Sequence, residues 1–110
     1  MNNCLFCKIA NDGPNQNFLF EDERVVAFKD INPQAPFHIL IIPRQHYTSI
    51  MDVGQEDLIG HLFTVGNMVA KKLGIDSFRY VINTGREAGQ SVFHLHLHLL
   101  GGRYMGWPPG

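Results

Sequence analysis

Apolar residues recur along the chain with two periods. Between residues 55 and 73, Leu58, Leu62, Val65, Val69 and Leu73 fall three or four apart and mark one face of a helix. Gly74 follows, where a residue tolerant of a left-handed backbone commonly ends a helix. Elsewhere the apolar runs are short. Residues 18–21, 25–29, 38–42, 78–82 and 92–100 read as strands. Polar Glu21-Asp22-Glu23-Arg24 joins the first two as a hairpin, Pro43 stops the third, and Gly101-Gly102 ends the last. Residues 4–11 read as a short helix with Leu5, Phe6 and Ile9 on its buried side, broken by Asp12-Gly13-Pro14-Asn15. Asn32-Pro33-Gln34-Ala35-Pro36 is a stiff loop, and residues 83–90 form a second loop with Gly85 and Gly89. The terminal Trp107-Pro108-Pro109-Gly110 is expected to be extended, since proline neither continues a helix nor joins a central ladder.

The order is helix, three strands, helix, two strands. It predicts an α+β fold: an antiparallel sheet of about five strands with one long helix and a short N-terminal helix. A chain of 110 residues, 45% hydrophobic, supports one core, so residues 1–110 are expected to form a single domain. No repeat, low-complexity segment or linker divides it.

Charge excludes some functions. Nine Lys+Arg stand against ten Asp+Glu, for a net charge of −1, and no basic run exceeds two residues. A nucleic-acid binder needs a basic footprint, so no such partner is expected. The longest apolar stretch, residues 37–42, is far short of the roughly 18 residues of a membrane span. Met1-Asn2-Asn3-Cys4 has neither a basic leader nor an apolar signal region, and a cytoplasmic location is expected.

Histidine changes the picture most. Three of the six histidines, His94, His96 and His98, fall within five residues. In a strand they share one face, about 6–7 Å apart, while Phe93, Leu95, Leu97 and Leu99 pack the core on the other. One reading is simply the polar half of an amphipathic strand, though Thr, Lys or Ser would serve as well. A second is a metal held by two of the histidines and a distant ligand. One ion cannot take all three, because His94 and His98 stand about 13 Å apart along a strand. A third is attack on phosphorus, since neutral imidazole is a nucleophile at pH 7. The loop from Asn83-Thr84-Gly85 to Gly89-Gln90-Ser91 supplies amides, hydroxyls and glycines that let backbone N–H groups approach phosphate oxygens. Asp30, at a strand end before the proline loop, is placed either to accept both hydroxyls of a cis-diol or to cap a turn. Asn83 can equally be a loop-starting residue. Phe6 and Ile9 can equally be core.

His94-Leu95-His96-Leu97-His98-Leu99-Leu100 resembles the signature of the histidine triad (HIT) family. Gly89-Gln90-Ser91-Val92-Phe93 before it, Gly101-Gly102-Arg103 after it, Asp30-Ile31-Asn32-Pro33-Gln34-Ala35-Pro36 with His38, and the Trp-Pro-Pro-Gly ending resemble its HINT branch. The resemblance spans essentially the whole chain. It implies a HIT-like fold and a purine nucleoside phosphoramidase that cleaves the P–N bond of compounds such as adenosine 5′-phosphoramidate, with AMP or GMP as product. It further implies a homodimer whose sheets join across the interface. His96 would be the nucleophile and become nucleotidylated before water releases the nucleotide. His98 would hold phosphate oxygens with Asn83, Ser91 and the Val92 amide, beside the loop residues Gly89 and Gln90. His38 would orient the catalytic histidine, Asp30 would bind the ribose hydroxyls, and Phe6, Ile9 and Ile31 would line the base pocket. No catalytic metal is required.

Cys4-Leu5-Phe6-Cys7 is the one cysteine pair. A redox motif would need a strand before it, which is missing, and a disulfide is rare in the cytoplasm. The pair can be two reduced core cysteines or half of a zinc site. Metal-binding HIT proteins carry Cys-x-x-Cys at this place and complete the site with positions that correspond to His46 and His94. Many HINT proteins lack both cysteines, which is a departure from the best-matching branch. Four protein ligands would close the shell of a structural zinc ion. Two rivals share these residues: a dinucleoside polyphosphate hydrolase of the Fhit type, against which the Trp-Pro-Pro-Gly ending speaks, and a non-catalytic nucleotide- or zinc-binding adaptor. His61, beside the helix stripe, is expected to be a surface or boundary residue with no chemistry.

Overall fold

The computed structural model of the protein describes residues 3–13 and 17–110. Pro14 and Asn15, read above as part of the helix break, and Met1 and Asn2 lie outside the described residues. The strands are β1 (Phe18–Glu21), β2 (Val25–Lys29), β3 (Phe37–Pro43), β4 (Phe78–Val81) and β5 (Leu97–Gly101). They form one antiparallel sheet in the order β1-β2-β3-β5-β4. The last strand therefore lies between β3 and β4, deep in the sheet. The helices are α1 (Leu5–Asn11) and α2 (Glu56–Leu73). Among the described residues, no helix is long and apolar enough to cross a membrane.

The two helices cover opposite faces of the sheet. Leu58, Leu62, Val65 and Val69 of α2 pack on Val25, Ala27, Ile39, Ile41, Leu97 and Leu99. Phe6 and Ala10 of α1 pack on Val26, Phe28, Leu40 and Ile42. Burial on both sides explains why β2 and β3 read as continuous apolar runs instead of alternating. Gly74 ends α2 with φ of 72°, as its sequence position predicts.

In the β1–β2 turn, Asp22 Oδ1 accepts from the N–H groups of Arg24 and Val25, both at 2.8 Å. Its other carboxylate oxygen lies 2.6 Å from His61 Nε2 of α2. Burial opposes ionisation of Asp22, but the His61 bond and the two backbone donors together hold its carboxyl below the usual range. His61, expected to be a surface or boundary residue, is half-buried and ties α2 to the hairpin.

Four expectations need correction. In α1 the buried pair is Phe6 and Ala10, four apart on one face, while Leu5 is 55% exposed and Ile9 sits half-buried at the flank. The last strand spans only Leu97–Gly101, so His94 and His96 precede it in irregular backbone. One side chain and one remote backbone carbonyl replace the ladder there: the His94 carbonyl accepts from the His96 ring at 2.8 Å, and Leu95 N–H donates to the Tyr47 carbonyl at 2.7 Å. Leu95 stays in the core, but Phe93 turns outward and is 40% exposed. The tail bends at a cis Trp107–Pro108 bond rather than running extended, with the Arg79 guanidinium 5.9 Å from the Trp107 ring centre.

After β5 the chain turns at Gly102, whose φ is 93°. A Cβ there would lie 2.8 Å from Pro36 Cβ and 3.1 Å from Phe37 Cδ2. Both the backbone and the rigid proline ring reject a side chain. Gly102→Ala is expected to lower stability by about 1–3 kcal/mol. Thermal unfolding checks this, and an unchanged midpoint would contradict the close approach.

Candidate active site

On the α1 side of the sheet lies a cavity of about 930 Å³. Its walls include Phe6, Ile9, Asp30, Ile31, His38, Ser91, Val92, His96 and His98, so nine of the sequence-predicted residues meet there. Ile31 stands at the mouth, 97% exposed. Asn83, Gly89 and Gln90 are not among the lining residues. Gln90 is buried and braces the loop: its Oε1 accepts from Gly85 N–H at 2.9 Å, and its Nε2 donates to the Thr48 and Val92 carbonyls at 2.7 and 3.2 Å. Gly89 adjoins Asn83, since a Cβ on it would lie 3.7 Å from Asn83 Nδ2. Phe28 and Leu40 were missed as lining residues. Antiparallel register sets Phe28 opposite Leu40 and Leu40 opposite His98, which puts all three in one row across three strands. Only the pairing, not the run of residues, carries that signal.

Fixed neighbours determine where each imidazole holds its proton. The His94 carbonyl can only accept, so His96 Nδ1 is the protonated nitrogen and Nε2 carries the lone pair. Gln34 N–H can only donate, and it points at His38 Nδ1 from 3.0 Å. His38 therefore carries its proton on Nε2 and donates it to His98 Nδ1 at 2.9 Å. That leaves the proton of His98 on Nε2, a buried atom with no partner among the described residues. His94 is fixed the same way: Nε2–H donates to the Pro43 carbonyl at 2.8 Å, and Nδ1 keeps its lone pair.

Burial holds these rings neutral. It lowers His96 and His38 below the ordinary histidine value, against the opposing pull of Asp30 on each. His98 is pushed down to about 4 by burial first, then by His96 and His38. The Asp30 carboxylate has two contacts: one oxygen caps the turn by accepting from Asn32 N–H at 2.9 Å, and the other lies 3.4 Å from His38 Nε2. The turn-capping reading of Asp30 thus describes one carboxylate oxygen, and the other faces His38.

Two groups of side chains bring metal-ligating atoms within 4.8 Å of one another. Asp30, His38 and His98 form one, but Gln34 N–H keeps the His38 proton on Nε2, the atom a cation would need. Cys4, Cys7, His46 and His94 form the other. His94 Nδ1 lies 3.4 Å from Cys4 Sγ, 3.5 Å from Cys7 Sγ and 3.3 Å from His46 Nδ1, and Cys7 Sγ lies 3.2 Å from His46 Nδ1. A tetrahedral zinc shell has edges of roughly 3.3–3.8 Å from its usual bond lengths. The four donors fit that shell, and the Pro43 carbonyl orients His94 from behind.

Comparison with known proteins agrees with this geometry. An uncharacterized HIT-like protein of Synechocystis sp. is 50% identical over 109 residues, covering 96% of each chain. A 14 kDa zinc-binding protein of Zea mays is 47% identical over 111 residues, covering 96% of this chain and 87% of that one. The crystal structure of a HIT family hydrolase from Legionella pneumophila superposes with a TM-score of 0.91 at 46% identity, covering 98% of this chain and 100% of the other. The sequence model of the HIT domain matches residues 13–105, from the break after α1 to the bend beyond Gly102, and the chain belongs to the HIT family.

Proposed function

We propose that the protein hydrolyses the P–N bond of purine nucleoside 5′-phosphoramidates through a nucleotidyl-histidine on His96. One observation carries the reading: a lone pair on His96 and a hydrogen on His98 Nε2, both set by fixed neighbours, meet in a cavity that also holds Asp30. His96 Nε2 attacks the α-phosphorus and the amine departs. Water then cleaves the P–N bond to His96 and releases AMP or GMP. His98 Nε2–H, the Ser91 hydroxyl and the Val92 amide hold phosphate oxygens, with Asn83, Gly89 and Gln90 shaping the loop behind them. Asp30 accepts from the ribose hydroxyls, and Phe6, Ile9 and Ile31 enclose the base. Such chemistry is mostly positioning and charge stabilisation, which suits one loop and one strand end. The hydrolase name of the Legionella structure supports the reaction class.

Cys4, Cys7, His46 and His94 hold a structural zinc ion, in keeping with the zinc-binding name of the maize relative. The ion joins α1 to the segment ahead of β5 and supplies nothing to the reaction. We place residues 1–110 in one HIT domain in the cytoplasm, as a homodimer whose sheets join across the interface.

The test is mass spectrometry of the intact protein after brief exposure to a slowly turned-over adenosine 5′-phosphoramidate. A nucleotide-sized adduct on His96 is expected. Nucleotide binding with no adduct would instead indicate an adaptor. Faster turnover of a diadenosine polyphosphate than of the phosphoramidate would indicate the Fhit type.

The pH profile follows from the two histidines at the phosphate. His38 and His98 are both held below 6.5, so the His38–His98 hydrogen bond that orients His98 Nε2–H is intact at neutral pH and is broken only as acid protonates His98 Nδ1 and sets two N–H groups face to face. kcat/KM is expected to stay level from pH 8 down through 6.5 and to fall below it. An acid limb with its midpoint at or above 6.5 would contradict the burial of these rings.

A further inference from the structure

We infer that Arg103 is a positioning residue that keeps the His38–His98 pair in its donor arrangement. The inference rests on the reading of His98 Nε2–H as the group that holds phosphate. Gly101-Gly102-Arg103 has no part in the proposed reaction, yet it closes on the loop that orients His38. The turn at Gly102 lays the chain against Pro36. Arg103 Nε then donates to the Gln34 carbonyl at 3.1 Å, and Nη1 donates to the Tyr104 carbonyl at 3.0 Å. One guanidinium thus staples the segment after β5 to the proline loop.

Gln34 matters because its N–H, together with the Asp30 carboxylate 3.4 Å from Nε2, sets the proton on His38. The loop has internal ties: Asp30 accepts from Asn32 N–H, and Gln34 Nε2 donates to the Asn32 carbonyl at 3.0 Å. Those bonds shape residues 30–34 but do not anchor Gln34 to the rest of the molecule. Arg103 does so from across the chain. If Gln34 shifts, His38 Nδ1 loses its donor and that nitrogen can take the proton. His38 Nε2 then presents a lone pair to His98 Nδ1. To avoid two facing lone pairs, His98 must move its proton to Nδ1, and the hydrogen on Nε2 is lost. An acceptor would then face the phosphate oxygens where a donor is needed.

The experiment is nitrogen-15 NMR of the imidazole rings, with steady-state kinetics, on wild type, Arg103→Met and Arg103→Lys. In the wild type, His38 should show a bare Nδ1 and His98 a protonated Nε2. Arg103→Met should show mixed tautomers at both rings, and kcat for adenosine 5′-phosphoramidate should fall about tenfold, the worth of one hydrogen bond, with KM within about twofold. Arg103→Lys, which keeps a cationic donor, should restore both. Folded Arg103→Met with wild-type tautomers would overturn the inference, as would altered tautomers with unchanged kcat. The ring spectra are read without substrate, so they test Arg103 even if His96 never forms an adduct.

Discussion

His96→Ala is expected to lower turnover of adenosine 5′-phosphoramidate by at least about a thousandfold, because a nucleophile removed is not replaced by a neighbour. The other two triad histidines cannot take over. His94 has its Nε2–H on the Pro43 carbonyl and turns Nδ1 toward the cysteines. His98 carries its proton on the buried Nε2 and gives its Nδ1 lone pair to His38. Of the three triad histidines, His96 alone has a lone pair not turned to another side chain among the described residues. The edge-on Phe6 ring, with its centroid 5.1 Å away, adds to the burial that keeps His96 neutral. AMP affinity should fall less than about tenfold, since Asp30 and the apolar walls remain. A variant that keeps more than a few per cent of the wild-type rate would remove His96 from this role. Rate loss matched by an equal loss of affinity would mean that the ring only shapes the cavity.

The elements that sequence periodicity predicts well are those that satisfy themselves locally. α2 follows from its apolar stripe and Gly74, and β2 and β3 from runs bounded by Asp22 and Pro43. The N-terminal half of the triad segment was misread because its backbone partners are remote. His94 bonds the end of β3, and Leu95 bonds Tyr47, and neither tie leaves a trace in the alternation of His and Leu. The placement of His96 and His98 at one cavity does not depend on that error, for a physical reason. A 2-residue spacing keeps His96 and His98 on the same side whether the backbone is laddered or merely extended. Placement of His46 beside Cys7 depends on how the chain leaves β3, which no local pattern encodes. Gln90 shows the opposite failure: a polar residue in a glycine loop looks like a ligand contact, yet its amide is consumed by backbone groups of Gly85, Thr48 and Val92.

Removal of the metal is expected to release α1 while the rest of the fold stands. Seven residues are too few for a stable isolated helix. Ordering their backbone costs roughly 7–14 kcal/mol at about 1–2 per residue, whereas burying Phe6 returns only about 1.5–3. Arg44 adds bonds to the Ala10 carbonyl and, through its own carbonyl, to Asn11. These contacts fall short, and a four-ligand zinc site, worth about 10–16 kcal/mol in small zinc-folded peptides, is large enough to close the gap. The α2 face of the sheet has its own core and needs no such tie. Chelation should therefore speed amide exchange in α1 by at least about a hundredfold and leave α2 protected. The thermal midpoint should fall by about 10 °C, and Cys4→Ser with Cys7→Ser should reproduce both effects. Protein purified without added zinc should hold one equivalent. Less than a tenth of an equivalent, with α1 still protected, would show that side-chain packing alone holds the helix. The same release would take Phe6 and Ile9 from the cavity wall, so a zinc ion bound there would support the cavity and the surroundings of His96.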